Sequence, residues 1–225
     1  MQQVTSQPAT PQLTRRTIAK QPQFSGLAHV EPIADKQEGP SCGFEAIENI
    51  IQLFHRLGND LTRRELLPLA QWYGVAASEP DGFALDVSGY QPLLADFGIT
   101  ARWYPFNAAQ VVIPALNANR GVLVVGDAHS LDARTYPRAG SGHAFVLTNY
   151  YTDEAGELIL GFVGLDSNFA RTEIAWPAER VEAAAAWGAL NAVGYPVLVT
   201  DAPATWPSVA RYYRQLRTGQ LVPVF

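Results

Sequence analysis

The chain of 225 residues holds one cysteine, Cys42, in the stretch KQEGPSCGFEA (Lys36 to Ala46). It follows a Gly39-Pro40 turn and opens an apolar run with helical spacing. A lone cysteine is ordinarily a small buried hydrophobe. At the front of a helix it gains a reason to ionise, because unpaired N–H groups and the helix dipole favour negative charge there. The thiolate is the attacking form, and a free thiol has a pKa of about 8.5. A cysteine nucleophile therefore needs an imidazole as base and later acid, a group that orients the imidazole, and donors for the oxyanion.

Four histidines compete for the role of base: His29, His55, His129 and His143. His55 lies on the helix that Cys42 opens. At about 1.5 Å per residue it falls ~20 Å from the thiol and is ruled out. His29 sits in the N-terminal extension. His129 follows a buried strand and precedes a loop. His143 opens a strand after Ser141-Gly142, where its ring is displayed at a sheet edge. Asp166, in GLDSN, ends the following strand, and the turn Asp153 to Gly156 lies midway between the two. A hairpin in that register sets Asp166 beside His143, where a carboxylate holds the imidazole in the useful tautomer. Asn168, two residues on and on the same strand face, is the alternative third member. Gln37, five residues before Cys42, supplies an amide that can complete the oxyanion site with the Cys42 N–H.

The elements that must position these residues follow from pattern. Phe44, Ile47, Ile50, Ile51, Phe54 and Leu57 recur at helical spacing, with Ser41 as N-cap and Gly58-Asn59-Asp60 as the stop. A second helix over 62–72 starts with a capping-box pattern, Thr62 to Glu65, and contains Pro68. Residues 78–82 read as loop, and a third helix spans 87–96, closed by Gly98. Strand-like segments then cover 99–104 and 121–128, with a helical segment at 108–119 between them. The loop 132–142 precedes a hairpin over 143–167. RTEIAW is a further strand, the helix after it carries Pro177 in its first turn, and GYPVLVT closes the sheet. Residues 205–219 suggest a terminal helix. Helices first and mostly antiparallel strands after predict an α+β fold.

The combination QEGPSCGFEA, GHAFVLTNY and LILGFVGLDSN, over Gln37 to Val199, resembles the papain-like cysteine peptidase superfamily, and within it the bacterial peptidase C39-like branch. The resemblance implies a papain-like α+β fold: an N-terminal helical half with the nucleophile at a helix N-terminus, packed on a C-terminal mostly antiparallel sheet. It implies four roles in chain order: Gln37 for the oxyanion, Cys42 as nucleophile, His143 as base, Asp166 as orienting residue. Gly43 stands where papain has Trp. The implied activity is a thiol peptidase that cleaves a peptide or isopeptide bond through an acyl-enzyme. Deamidases, amidases and acyltransferases share the fold and the triad. A papain-like scaffold with an inert cysteine, binding a protein partner, is the non-enzymatic alternative.

Composition narrows the setting. A net charge of −5 argues against nucleic acid and anionic membrane as partners. No apolar run approaches the length of a membrane-spanning helix. One cysteine allows no internal disulfide, and the histidines lack zinc-ligand spacing, so no metal or organic cofactor is expected. Residues 1–36, rich in Gln, Thr, Ser and Pro, read as a flexible extension before a domain over 37–225. They lack a signal-peptide core, so the expected location is cytoplasmic, or exported by another route as a bacterial effector would be.

Overall fold

The computed structural model describes residues 23–24, 41–55, 61–79, 82–169, 173–204 and 212–224. Gln37 and His29 lie outside them, as do residues 56–60 with the expected helix stop. The fold is mixed α and β.

Helix α1 (Cys42–Phe54) buries Phe44, Ile47, Ile50 and Ile51, the stripe its spacing requires. Ser41 precedes it, but its hydroxyl makes no cap bond. It turns to Glu45 Oε1 at 3.4 Å instead. A π-helical turn (Thr62–Leu66) leads into α2 (Leu67–Trp72), whose Pro68 stands in the first turn and needs no N–H partner. The capping box is not used. Glu48, buried on α1, accepts from the Leu61 N–H (3.1 Å), the Thr62 N–H (3.0 Å) and the Thr62 hydroxyl (2.6 Å). A carboxylate from another helix has replaced Glu65, which stays exposed.

The segment expected as loop at 78–82 carries parts of two paired strands, β2 (Ala76–Glu79), largely exposed, and β3 (Gly82–Leu85), half-buried and ending in the buried Leu85. Its strands show no apolar alternation, so periodicity could not reveal them. A 3₁₀ turn (Val87–Gly89) then enters α3 (Tyr90–Asp96). The remaining elements are β4 (Ala101–Tyr104), a π-helical turn (Ala108–Val112) into α4 (Ile113–Asn117), β5 (Arg120–Asp127), α5 (Ala128–Leu131), β6 (Gly142–Thr152), β7 (Ile159–Leu165), β8 (Glu173–Pro177), α6 (Ala178–Gly188) and β9 (Val197–Pro203).

Among the described residues the main sheet runs in the order β1, β11, β10, β6, β5, β9, β4, with β7 and β8 branching from β6. Here β1 is Gln23–Phe24, β10 is Tyr212–Gln215 and β11 is Gln220–Val224. The part of the expected terminal helix that is described is therefore β10, a strand parallel to β6 and antiparallel to β11. Sheet partners on both sides outweigh its local helical composition. β9 lies one strand in from the β4 edge. Pairing is antiparallel except at β6–β10 and β1–β11.

Helices cover both faces of the central strands. Leu123, Val125, Ala144 and Val146 pack toward α1 and α3. Val122, Val124, Phe145 and Leu147 pack toward α4 and α6. Burial on both faces explains why β5 and β6 read as continuous apolar runs.

Candidate active site

Cys42 is the first residue of α1 and is partly exposed. His143 enters β6 opposite Gly126 of β5. Asp166 follows the last residue of β7. The fold brings the three together. His143 Nε2 lies 3.0 Å from Asp166 Oδ1, and the two are 4% and 1% exposed. The Tyr136 hydroxyl lies 3.4 Å from the same Nε2, and Cys42 is a further hydrogen-bond partner of the ring, for which Nδ1 is left. The Ala144 N–H also points at the sulfur.

The hairpin register is close to the expected one but not the same. Val146 pairs with Leu165 and Tyr150 with Phe162, and irregularities at 147/149 and 151/152 shift the ladder. Asp166 therefore reaches His143 from just past the strand end, not from a paired position. The chain turns there, with the Phe169 N–H bonded to the Asp166 carbonyl at 2.9 Å. Asn168 is thus in a turn, not on a shared strand face with Asp166. It nevertheless joins the cluster, its backbone N–H 2.9 Å from Asp166 Oδ1.

Tyr136 is the member that pattern did not single out. Its hydroxyl donates to Asp166 (2.8 Å to Oδ1, 2.7 Å to Oδ2) and accepts from Asn168 Nδ2 at 2.6 Å. Its ring tilts over the His143 ring with centroids 5.2 Å apart, and Phe145 stacks against His143 at 6.3 Å. An aromatic in a loop of Gly, Pro, Ser and Arg just before the histidine was the available signal, but loop sequence does not name a partner.

Asp127 shapes that loop. Buried at the end of β5, it accepts from the backbone N–H groups of His129, Ser130, Gly140 and Ser141 and from the Ser130 hydroxyl. Asp132 accepts from the Arg134 N–H and the Thr135 hydroxyl. His129 Nδ1 contacts the Tyr136 carbonyl at 2.7 Å, which gives this histidine a structural role. His55 Nε2 meets the Phe97 carbonyl at 2.7 Å, away from the site.

The electrostatics favour an ion pair. Burial disfavours the His143 imidazolium, but hydrogen bonds to Asp166 and Cys42 and their negative charges outweigh it and raise its pKa to about 10. Burial pushes the Cys42 thiol up, and the His143 bond and charge and the Ala144 N–H more than offset this, so its pKa falls below the ordinary value. Burial likewise raises the Asp166 carboxyl, and His143, the Asn168 N–H and Tyr136 together bring it below the usual range. A lowered thiol beside a raised imidazole is the condition for thiolate and imidazolium to coexist near neutrality.

Cys42 and His143 open on a cleft of about 370 Å³, whose lining includes Leu85, Val87, Tyr90, Gly142 and Trp187. Among the described residues lining it, none is Asp, Glu, Lys or Arg. No group of three or more His, Cys, Asp or Glu among the described residues is arranged to hold a metal ion. No described helix is long and apolar enough to cross a membrane. Comparison with known protein families and with curated proteins finds no match to this chain.

Proposed function

We propose that the chain is a papain-like cysteine hydrolase acting on a peptide or isopeptide bond. The observation that carries this is the line of three groups, Cys42 at a helix start, His143 beside it, and Asp166 at 3.0 Å behind His143. The order of the three in the chain and their element types agree with that superfamily, as does a helix opened by Cys42 and packed on the antiparallel strands β5 and β6 of a mixed sheet.

In this mechanism the Cys42 thiolate attacks the carbonyl carbon and the carbonyl oxygen takes the negative charge. The Cys42 N–H at the helix start stabilises that charge, with the Gln37 amide as its partner. His143 gives its proton to the leaving amine as the tetrahedral species collapses to a thioester. A water then attacks the thioester, His143 accepts the water proton, and the thiolate is released. Asp166 holds the ring through Nε2 and keeps the imidazolium favourable throughout. Tyr136 and Phe145 shield the His143–Asp166 contact on either side. Apart from the Cys42–His143 pair, the described lining of the cleft has no Asp, Glu, Lys or Arg, which suits a neutral acyl group next to the bond that is cut. Transfer of that acyl group to another acceptor would use the same first half-reaction.

Alkylation tests the reading directly, since every adduct falls on the one cysteine. Iodoacetamide labelling, followed by intact mass, is expected to stay fast well below pH 7 and to lose that low-pH component in His143→Ala. Slow labelling that rises only above about pH 8 in both proteins, as for an ordinary thiol, would overturn it.

A further inference from the structure

Gly43 follows the nucleophile, and the space a side chain would take there is filled. A Cβ on Gly43 would lie 2.7 Å from the Tyr90 hydroxyl oxygen and 3.1 Å from Leu85 Cβ. The absence of a side chain at 43 lets the phenol of Tyr90 come up against the start of the nucleophile helix.

That phenol is placed with care. Tyr90 opens α3, is 3% exposed, and packs its ring on Trp103 with centroids 5.9 Å apart. Its hydroxyl has no hydrogen-bond partner among the described residues, yet Tyr90 lines the cleft that holds Cys42. The side chain is buried but its hydroxyl is not sealed from the cleft, so an acceptor can reach it from there. Burial, then the negative charges of Cys42 and Asp86, hold it in the protonated form. It is a donor waiting for an acceptor, at the helix end where negative charge is favoured.

We propose that the Tyr90 hydroxyl is a catalytic oxyanion donor, binding the carbonyl oxygen of the bond that Cys42 attacks. This rests on the hydrolase reading above. As the S–C bond forms, the carbonyl π pair moves to oxygen. Tyr90 donates a hydrogen bond to that oxygen and keeps its proton. On collapse the C=O bond reforms, the bond to the leaving group breaks, and the leaving group departs with the electron pair.

The test uses two reagents on the full chain. p-Nitrophenyl acetate acylates through a tetrahedral oxyanion, whereas iodoacetamide alkylates by displacement at saturated carbon and forms none. In Tyr90→Phe the acylation rate is expected to fall roughly 10²-fold, the scale for loss of one such donor, with the iodoacetamide rate and its pH profile unchanged. Gly43→Ala, which displaces the hydroxyl, is expected to follow the same split. The urea midpoint of Tyr90→Phe is expected to hold or rise, because the hydroxyl has no partner to lose. Acylation at the wild-type rate in Tyr90→Phe, or an equal slowing with both reagents, would overturn the inference while leaving the hydrolase reading intact. A wild-type thiol that alkylates like an ordinary one would overturn both.

Discussion

Asp166 is gripped from three sides, by His143 Nε2, the Tyr136 hydroxyl and the Asn168 N–H. Its charge is what lets a buried imidazole stay protonated. Replacing it by the isosteric amide in Asp166→Asn keeps the shape and removes the charge. The His143 pKa is then expected to drop from about 10 toward its ordinary 6.5, taking the alkaline limb of turnover down with it. The loss in kcat/KM is expected between roughly 10² and 10⁴-fold, the upper figure being that of a triad left in the wrong tautomer. A pH–rate profile of the variant checks both. Tyr136→Phe preserves the ring over His143 and strips the bridge between Asp166 and Asn168. A hydrogen bond to a charged group contributes about 1.5–3 kcal/mol, and a fall of that size in unfolding free energy is expected in urea at neutral pH. An unchanged midpoint would mean that water replaces the hydroxyl without loss.

Two devices hold the helix that Cys42 opens and the strand that carries His143 in place. Glu48 joins α1 to the segment that starts at Leu61, satisfying three donors at once. Glu48→Ala leaves two backbone N–H groups without their acceptor and is expected to cost about 2 kcal/mol, read as a lower urea midpoint. α6 packs on β5 through a pair of glycines. A Cβ on Gly126 would lie 2.7 Å from the Ala184 backbone carbon, and one on Gly188 would collide with the Val125 carbonyl. Gly188→Ala must push helix and strand apart, at about 1–3 kcal/mol. Because Gly126 pairs with His143, the same variant is expected to raise amide hydrogen exchange across 142–147. Exchange unchanged there would show that the strain is absorbed in α6 alone. Helices and strands of this core were legible where a helical period dominated, as in α1, or where an apolar run was bounded by turn residues, as in β6. The β2–β3 pair and β10 were not, because strands of four residues, AASE and GFAL, carry no apolar alternation and a segment with helical composition can still be claimed by neighbouring strands.

The buried charges give the whole molecule a defined pH dependence of stability. His143, with its folded pKa raised, contributes stability that is complete below 6.5 and lost as pH rises toward about 10. Cys42, with its folded pKa lowered, contributes stability that is complete above 9.0 and lost as pH falls toward its folded value. Between 6.5 and 9.0 the two slopes oppose each other, since folded and unfolded chains hold the same number of protons on the pair. Asp166 adds a further loss in acid, below its ordinary 3.8. A urea-midpoint series is therefore expected to show a plateau over that interval with a decline on each side. In His143→Ala the acid-side decline due to this pair is expected to vanish, because burial without the imidazolium keeps Cys42 protonated in the folded chain as in the unfolded one. A single slope through neutral pH in the native chain would contradict the ion pair.

The sequence by itself singled out Cys42, His143 and Asp166 as candidates, because each stands at the end of an element whose period or turn chemistry announces it: Cys42 after Gly39-Pro40, His143 after Ser141-Gly142, Asp166 after an apolar strand. It also determined the mixed α and β character. The tertiary structure decided the rest. Only folding shows that Tyr136 closes over Asp166, that Asp127 organises the loop carrying it, and that Gly43 makes room for the Tyr90 hydroxyl. Those contacts join residues far apart in the chain through loops and single side chains. Period and spacing are properties of one element, whereas a hydrogen bond across the cleft is a property of how several elements pack.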